Sequence, residues 1–118
     1  MDTNTNYNLE ERTAKFGEDA IIFCKSINQD AITRPLINQL VRSATSVGAN
    51  YMEANGAASK KDFKNKIFIC KKEAQETKHW LRMISKSNPE KAEEARKLWQ
   101  ECQELTLIFG KIISTMKK

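Results

Sequence analysis

The chain is 118 residues long, with 40% apolar and 30% charged residues and a net charge of +5. That length fits one domain, and a chain with only two prolines and four glycines should be mostly helix. No charged-then-apolar leader opens it and no apolar run reaches membrane-spanning length, so a soluble, cytoplasmic protein without a membrane partner is expected.

Residues 1–8 are polar and rich in Asn and Thr, and read as a frayed tail before one domain over 9–118. The first helix is predicted from Leu9 to Asn28, on the three- and four-residue spacing of Phe16, Ala20, Phe23, Cys24 and Ile27. Gly17 weakens it locally. After a short link, Thr33 is the predicted N-cap of a second helix, with Pro35 near the first-turn position that proline favours. That helix should end at Asn55, with Gly56 as a left-handed C-cap. Ser59 and Asp62 form a capping-box-like start to a third helix that ends near Lys86. Asn88 as N-cap and Pro89 as first residue begin the fourth. Acids in its opening turns and Lys111, Lys117 and Lys118 toward its end suit the helix dipole. The links are short, so the fold class is all-α, an antiparallel up-and-down four-helix bundle.

On helix two, Leu36, Ile37, Leu40, Ala44, Val47, Tyr51 and Ala54 share the core side. A second side carries Gln39, Arg42, Ser43, Ser46, Ala49, Asn50 and Glu53, small and polar groups that must be paired if a helix approaches closely. On helix three the core side is Phe63, Ile67, Cys70, Ala74, Thr77, Leu81 and Ile84. A turn centred near Ala57 and Ala58 sets Arg42 level with Glu73 and Gln39 level with Glu76. Arg42 is therefore expected to pair with Glu73 or Glu76, and removing it from a fully buried pair would cost about 3 kcal/mol.

Helix three also carries Phe68, Ile69, Trp80 and Met83 off its core side, and helix four adds Trp99 and a dense apolar end from Leu105 to Met116. Apolar residues on more than one side suggest self-association, with Phe68, Ile69, Trp80 and Met83 as interface candidates. Cys24, Cys70 and Cys102 lie on three different predicted helices, far from one another and from His79 in sequence, and read as buried reduced thiols. No nucleophile, second base or metal-ligand set accompanies the polar residues, so neither an enzyme nor a cofactor or metal site is expected.

Charge is unevenly spread. Residues 1–30 carry three basic and six acidic groups, a net of −3, whereas residues 59–87 carry nine basic and three acidic, a net of +6. Lys60, Lys64, Lys71, Lys78 and Arg82 fall within about 40° of one another on the helical wheel. This basic stripe suits phosphate backbones of RNA or DNA without base readout, or else a solvated face. No zinc finger, helix-turn-helix or RNA-recognition aromatic motif accompanies it.

The segment LVRSATSVGANYMEANGAASKKDFKNKIFICKKEAQETKHWLRMI closely resembles the bacterial four-helix-bundle family of ribosomal-RNA intervening-sequence-encoded proteins. The family pattern runs roughly QLxRSxxSxGANxxEA, then SKxDFxxKxxIAxKEAxETxYWL. Gln39, Leu40, Arg42, Ser43, Ser46, Gly48, Ala49, Asn50, Glu53 and Ala54 match the first part. Ser59, Lys60, Asp62, Phe63, Lys66, Ile69, Lys72, Glu73, Ala74, Glu76, Thr77, Trp80 and Leu81 match the second. Cys70 stands where Ala is common, and His79 where an aromatic residue is common. The resemblance implies a ring-shaped homopentamer without catalytic activity. Genes of some such proteins lie inside insertions in large-subunit ribosomal RNA genes, and a related basic pentamer is an accessory protein to reverse transcriptase in diversity-generating retroelements. The resulting expectation is a non-enzymatic homo-oligomer, most simply a pentamer, that associates with RNA or DNA through the stripe. The alternative is a scaffold that docks a protein partner without touching nucleic acid.

Overall fold

A computed structural model describes residues 8–116. The predicted tail, apart from Asn8, and Lys117 and Lys118 lie outside the described residues. Four helices follow one another: α1 (Leu9–Lys25), α2 (Thr33–Asn55), α3 (Lys60–Ser87) and α4 (Ala92–Met116). The described residues contain no strand. The fold is an all-α, antiparallel up-and-down four-helix bundle.

Side-chain pairs fix the directions. Thr77 meets Ser43 and Cys70 meets the Val47 carbonyl, so α3 runs against α2. Cys102 meets the Ala74 carbonyl at 2.8 Å and Gly110 meets Lys71, so α4 runs against α3. Arg12 reaches Glu101 and Glu104, which closes α1 onto α4. At about 1.5 Å per residue the 28 residues of α3 reach about 42 Å. That nearly fills the longest dimension of the bundle, 46 Å. The 17 residues of α1 reach only about 26 Å, so α1 cannot cover the full length of its neighbours.

The core follows the predicted periodicity. In α2, Ile37, Leu40, Ala44, Val47, Tyr51 and Ala54 are buried, with Leu36 partly so. In α3, Ile67, Cys70, Ala74, Thr77, Leu81 and Ile84 are buried and Phe63 leans on the core from its edge. Ser43, on the polar side of α2 by periodicity, is fully buried under α3, where Thr77 Oγ1, 2.8 Å away, pairs its hydroxyl. The three cysteine thiols are free and buried. Burial pushes Cys24 up to about 11 and Cys70 and Cys102 up to about 12.

Gly17 does not interrupt α1. A Cβ there would stand 3.4 Å from Thr45 Cα, at the edge of ordinary contact. Gly48 is tighter, since a Cβ would meet the Thr13 carbonyl oxygen at 3.2 Å. A glycine inside a helix costs about 1 kcal/mol relative to alanine, and at Gly48 the close α1–α2 crossing is what it makes room for.

The helix ends depart from expectation in four places. First, α1 stops at Lys25 rather than Asn28, where the Ser26 hydroxyl donates to the Phe23 carbonyl at 2.6 Å. Ile27 is nevertheless buried. Second, Thr33 is the first residue of α2, and Asp30 does the capping. The Asp30 carboxylate accepts from the Ile32 and Thr33 amides at 2.9 and 2.8 Å, while the Thr33 hydroxyl accepts from the Asp30 amide at 2.9 Å. Those backbone donors, Thr33 first, hold the Asp30 carboxyl below its ordinary value.

Third, Gly56 is not left-handed (φ −95°, ψ 7°). The amides of Gly56 and Ala57 bond back three residues to Glu53 and Ala54, a tight end that needs no positive φ. Fourth, Pro89 begins a 3₁₀ turn, Pro89–Lys91, and α4 proper starts at Ala92. Proline pushes Asn88 to φ −130°, and the Lys91 amide bonds the Asn88 carbonyl at 2.9 Å. The Asn88 side chain reaches Glu90 instead of capping the helix. Ser59 caps α3 as expected, accepting from the Asp62 amide at 3.1 Å.

Candidate nucleic-acid interface

Helix α3 lies between α2 and α4, and the predicted basic stripe runs along its α4 side. Lys60, its first residue, and Arg82, near its end, are exposed, while Lys64, Lys71 and Lys78 are half-buried. Lys71 lies across α4 at Gly110, where a Cβ would stand 3.9 Å from its Nζ. Lys78 donates to the Gln103 side-chain oxygen, and its ammonium sits 5.3 Å from the centre of the Trp99 ring.

These partners are neutral. Glu101 and Glu104 lie on the α1 side of α4 instead. Arg12 Nε and Nη2 reach the two carboxylate oxygens of Glu101 at 2.7 and 2.8 Å, and Nη2 also reaches Glu104 at 2.7 Å. The hydrogen bond to Glu101 raises the Arg12 pKa further, against an opposing desolvation. A two-pronged contact of this kind keeps Glu101 and Glu104 occupied by α1. The α4 residues that meet the stripe, Trp99, Gln103 and Gly110, carry no charge, so the stripe stays positive. Among the described residues, none of Lys60, Lys64, Lys71, Lys78 and Arg82 is within 4.0 Å of a carboxylate.

The α2 side of α3 is different. Arg42 Nη1 lies 3.2 Å from Glu73 Oε1, and its Nη2 contacts Glu76. Arg42 Nε donates to Gln39 at 3.0 Å, and Trp80 Nε1 donates to Glu76 at 3.3 Å. Lys66 pairs with Glu53. Burial alone would raise the Glu76 carboxyl, but the hydrogen bonds from Trp80 and Arg42 and the charge of Arg42 outweigh it and hold it below its ordinary value. Arg42 thus meets both acids rather than one of them. Its side chain is 45% exposed and that of Glu73 12%, so the full cost of a buried charge pair does not apply.

Phe68 and Ile69 stand exposed on the outer face of α3. Trp80 and Met83 are half-buried, and Trp80 leans on the core of its own chain. Along α4, Leu105, Phe109 and Ile113 are buried, Ile108 and Ile112 pack against them, and Leu107 is exposed. Ile21, Ile22 and Met52 are exposed apolar residues that the helical periodicity had not brought out.

Two further residues join the stripe. Arg96 and Trp99, on α4, line a groove with Arg82. Their three-residue spacing shows that they share a side of α4, but the meeting with Arg82 depends on the α3–α4 register, which the 3₁₀ turn sets. No group of three or more His, Cys, Asp or Glu among the described residues could hold a metal ion, and no helix is long and apolar enough to cross a membrane.

A family profile described as 23S rRNA-intervening sequence protein matches residues 6–111. A solved structure described as a protein of unknown function from the S23 ribosomal protein family of Bacteroides thetaiotaomicron is similar at 28% identity. The likeness covers 88% of this chain and 96% of that one, with a TM-score of 0.76. No curated protein matches.

Proposed function

This chain belongs to the 23S rRNA-intervening sequence protein family, and from that premise we propose that it acts without catalysis, as a homo-oligomer that associates with nucleic acid through the basic seam between α3 and α4. The observation that carries the reading is the stripe's surplus charge. Lys60, Lys64, Lys71, Lys78 and Arg82 lie along one helix edge, and the α4 groups that meet Lys71 and Lys78 are uncharged. Cations so arranged meet a phosphate backbone at several points and release its counterions, which gives binding that falls steeply with salt and ignores base sequence. The ribosomal name of the similar structure points toward RNA in the same direction.

Self-association rests on the exposed pair Phe68 and Ile69, with Trp80 and Met83 at the margin of the same face. A copy that covers this face removes apolar surface from water and repeats the basic seam around an assembly. Light scattering should give a stable oligomer, most simply five times the 13.5 kDa chain, and a monomer at micromolar concentration would sink this half of the proposal. The nucleic-acid half is tested by affinity at two salt concentrations. Retention that does not respond to salt, or a protein partner that co-purifies after nuclease treatment in place of nucleic acid, would favour a protein-docking scaffold.

A further inference from the structure

The groove between the last turns of α3 and the first turns of α4 has a volume of about 260 Å³. Ala92 and Ala95 give it a small-residue wall, Arg82 and Arg96 supply charge, and Trp99 supplies a ring. We propose that this groove is a stacking site for an unpaired base of single-stranded nucleic acid, with Trp99 as the platform and Arg82 and Arg96 as phosphate contacts. The inference rests on the nucleic-acid reading above and goes further, because a stripe of lysines alone does not distinguish a duplex from a single strand.

Trp99 is 38% exposed and belongs to neither of the two buried clusters that form the core. The other tryptophan shows what a structural indole looks like here. Trp80 packs against the core and donates its Nε1 to Glu76 at 3.3 Å. The Trp99 Nε1 has no hydrogen-bond partner among the described residues. A large aromatic ring left at the surface with its polar group free is available for a ligand. Lys78, tethered to Gln103 and 5.3 Å from the ring centre, lies outside the groove, so the cation that touches the ring does not fill it.

The charge fits the same ligand. Neither Arg82 nor Arg96 makes an ion pair or side-chain hydrogen bond among the described residues, while the nearby Glu94 is 3.7 Å from Lys91. Two free guanidinium groups beside an exposed indole match a nucleotide, a π-face with a phosphate on either side. A base inside a duplex has both faces covered by its neighbours. Only a splayed base can lie on Trp99, so the groove selects single strands.

The test uses the full chain with oligo(U), oligo(dT) and a mixed-sequence duplex. Wild type should bind both single strands, with quenching of its indole emission, because the base face and the phosphate are common to RNA and DNA. W99A should lose about 5- to 100-fold in single-strand affinity, the range for one stacked base, with its salt dependence and its duplex binding unchanged. W99F should recover most of the loss. R82Q and R96Q should each lower the salt slope by about one. Wild-type affinity in a folded W99A, or single-strand binding without indole quenching, would overturn the stacking site and leave the basic-seam reading standing. A wild-type protein that binds no nucleic acid at all would overturn both. The quenching measurement needs no variant, so a misfolded W99A does not protect the inference.

Discussion

The two seams of α3 are built differently although one helix makes both. Toward α2, charges meet charges: Arg42 with Glu73 and Glu76, Lys66 with Glu53, and a buried hydroxyl pair at Thr77 and Ser43. Toward α4, Lys78 meets an amide and an indole, Lys71 lies over a glycine, and Arg82 meets no acid. The first seam neutralises its charges and leaves little for an outside partner. The second is closed by apolar burial and keeps its charge unneutralised, because the α4 groups that meet Lys71 and Lys78 carry no charge. Position on a helix does not decide whether a lysine is structural. What stands opposite it does.

The largest effect should come from reversing charge on the open seam. With Lys64, Lys71 and Lys78 all changed to Glu, nucleic-acid affinity should fall by about 100-fold or more near physiological salt. The slope of log affinity against log salt should flatten by about 2 to 3, as three phosphate contacts are lost. The fold should survive, since these side chains sit off the core, and circular dichroism checks this. Unchanged binding by a folded triple mutant would move the contact surface elsewhere, and loss of the oligomer would assign the stripe to assembly.

The closed seam should answer in stability instead. Arg42→Ala should cost between about 1 and 2 kcal/mol, most of it from leaving Glu73, 12% exposed, without a partner. Scaling by chain length, the melting temperature should drop by roughly 4 to 8 °C. The pH dependence sharpens this. The folded Glu76 carboxyl lies below its unfolded value, so the stability it contributes is present above about pH 4 and is lost as pH falls through the folded value. In Arg42→Ala that acid-side loss should shrink without vanishing, since the Trp80 hydrogen bond that also lowers Glu76 remains while the Arg42 bond and charge are gone. An unchanged melting temperature across this range would mean that solvent screens the pair entirely.

The same contrast explains what could be read ahead of the structure. The α2–α3 register was legible because Gly56 and Ser59 bracket a short turn, and levelling residues about that turn brought Arg42 to Glu73 and Glu76. That Gly56 closes the helix at negative φ changed the local geometry without moving the register. The α3–α4 register was not legible in the same way. Pro89 reads as a helix start, yet the α-helix begins three residues later, and the meeting of Arg82 with Arg96 and Trp99 follows from that turn. Ser43 shows a different limit. Periodicity assigned it to a polar side, but a side between two close helices is interior, and one hydrogen bond to Thr77 suffices to bury it.

A smaller effect on the closed seam tests that bond. Thr77→Val keeps the shape and removes the hydroxyl that lies 2.8 Å from Ser43 Oγ and 2.7 Å from the Glu73 carbonyl. The cost should be about 1 kcal/mol, since Ser43 can still turn toward the Leu40 carbonyl, 3.4 Å away. Denaturant titration checks the value. A change near zero would show that the seam is specified by apolar contacts and its ion pairs alone.

The smallest effect concerns the thiols, one on each seam. Cys70 Sγ lies against the Val47 carbonyl on the α2 side, and Cys102 Sγ lies 2.8 Å from the Ala74 carbonyl on the α4 side. Both are pushed up to about 12 by burial, so at pH 8 these thiols are held protonated. Native protein should therefore react with a thiol reagent only through opening of the bundle. Because partly exposed ion pairs help to hold the α2–α3 seam, molar salt should raise the rate at Cys70 modestly and leave Cys102 steady, since screening acts on exposed charges and not on the core. Equal rates at both salt concentrations would reverse this, and would leave apolar burial as what keeps the α2–α3 seam shut. Site-resolved mass spectrometry of the alkylated cysteines separates the two positions.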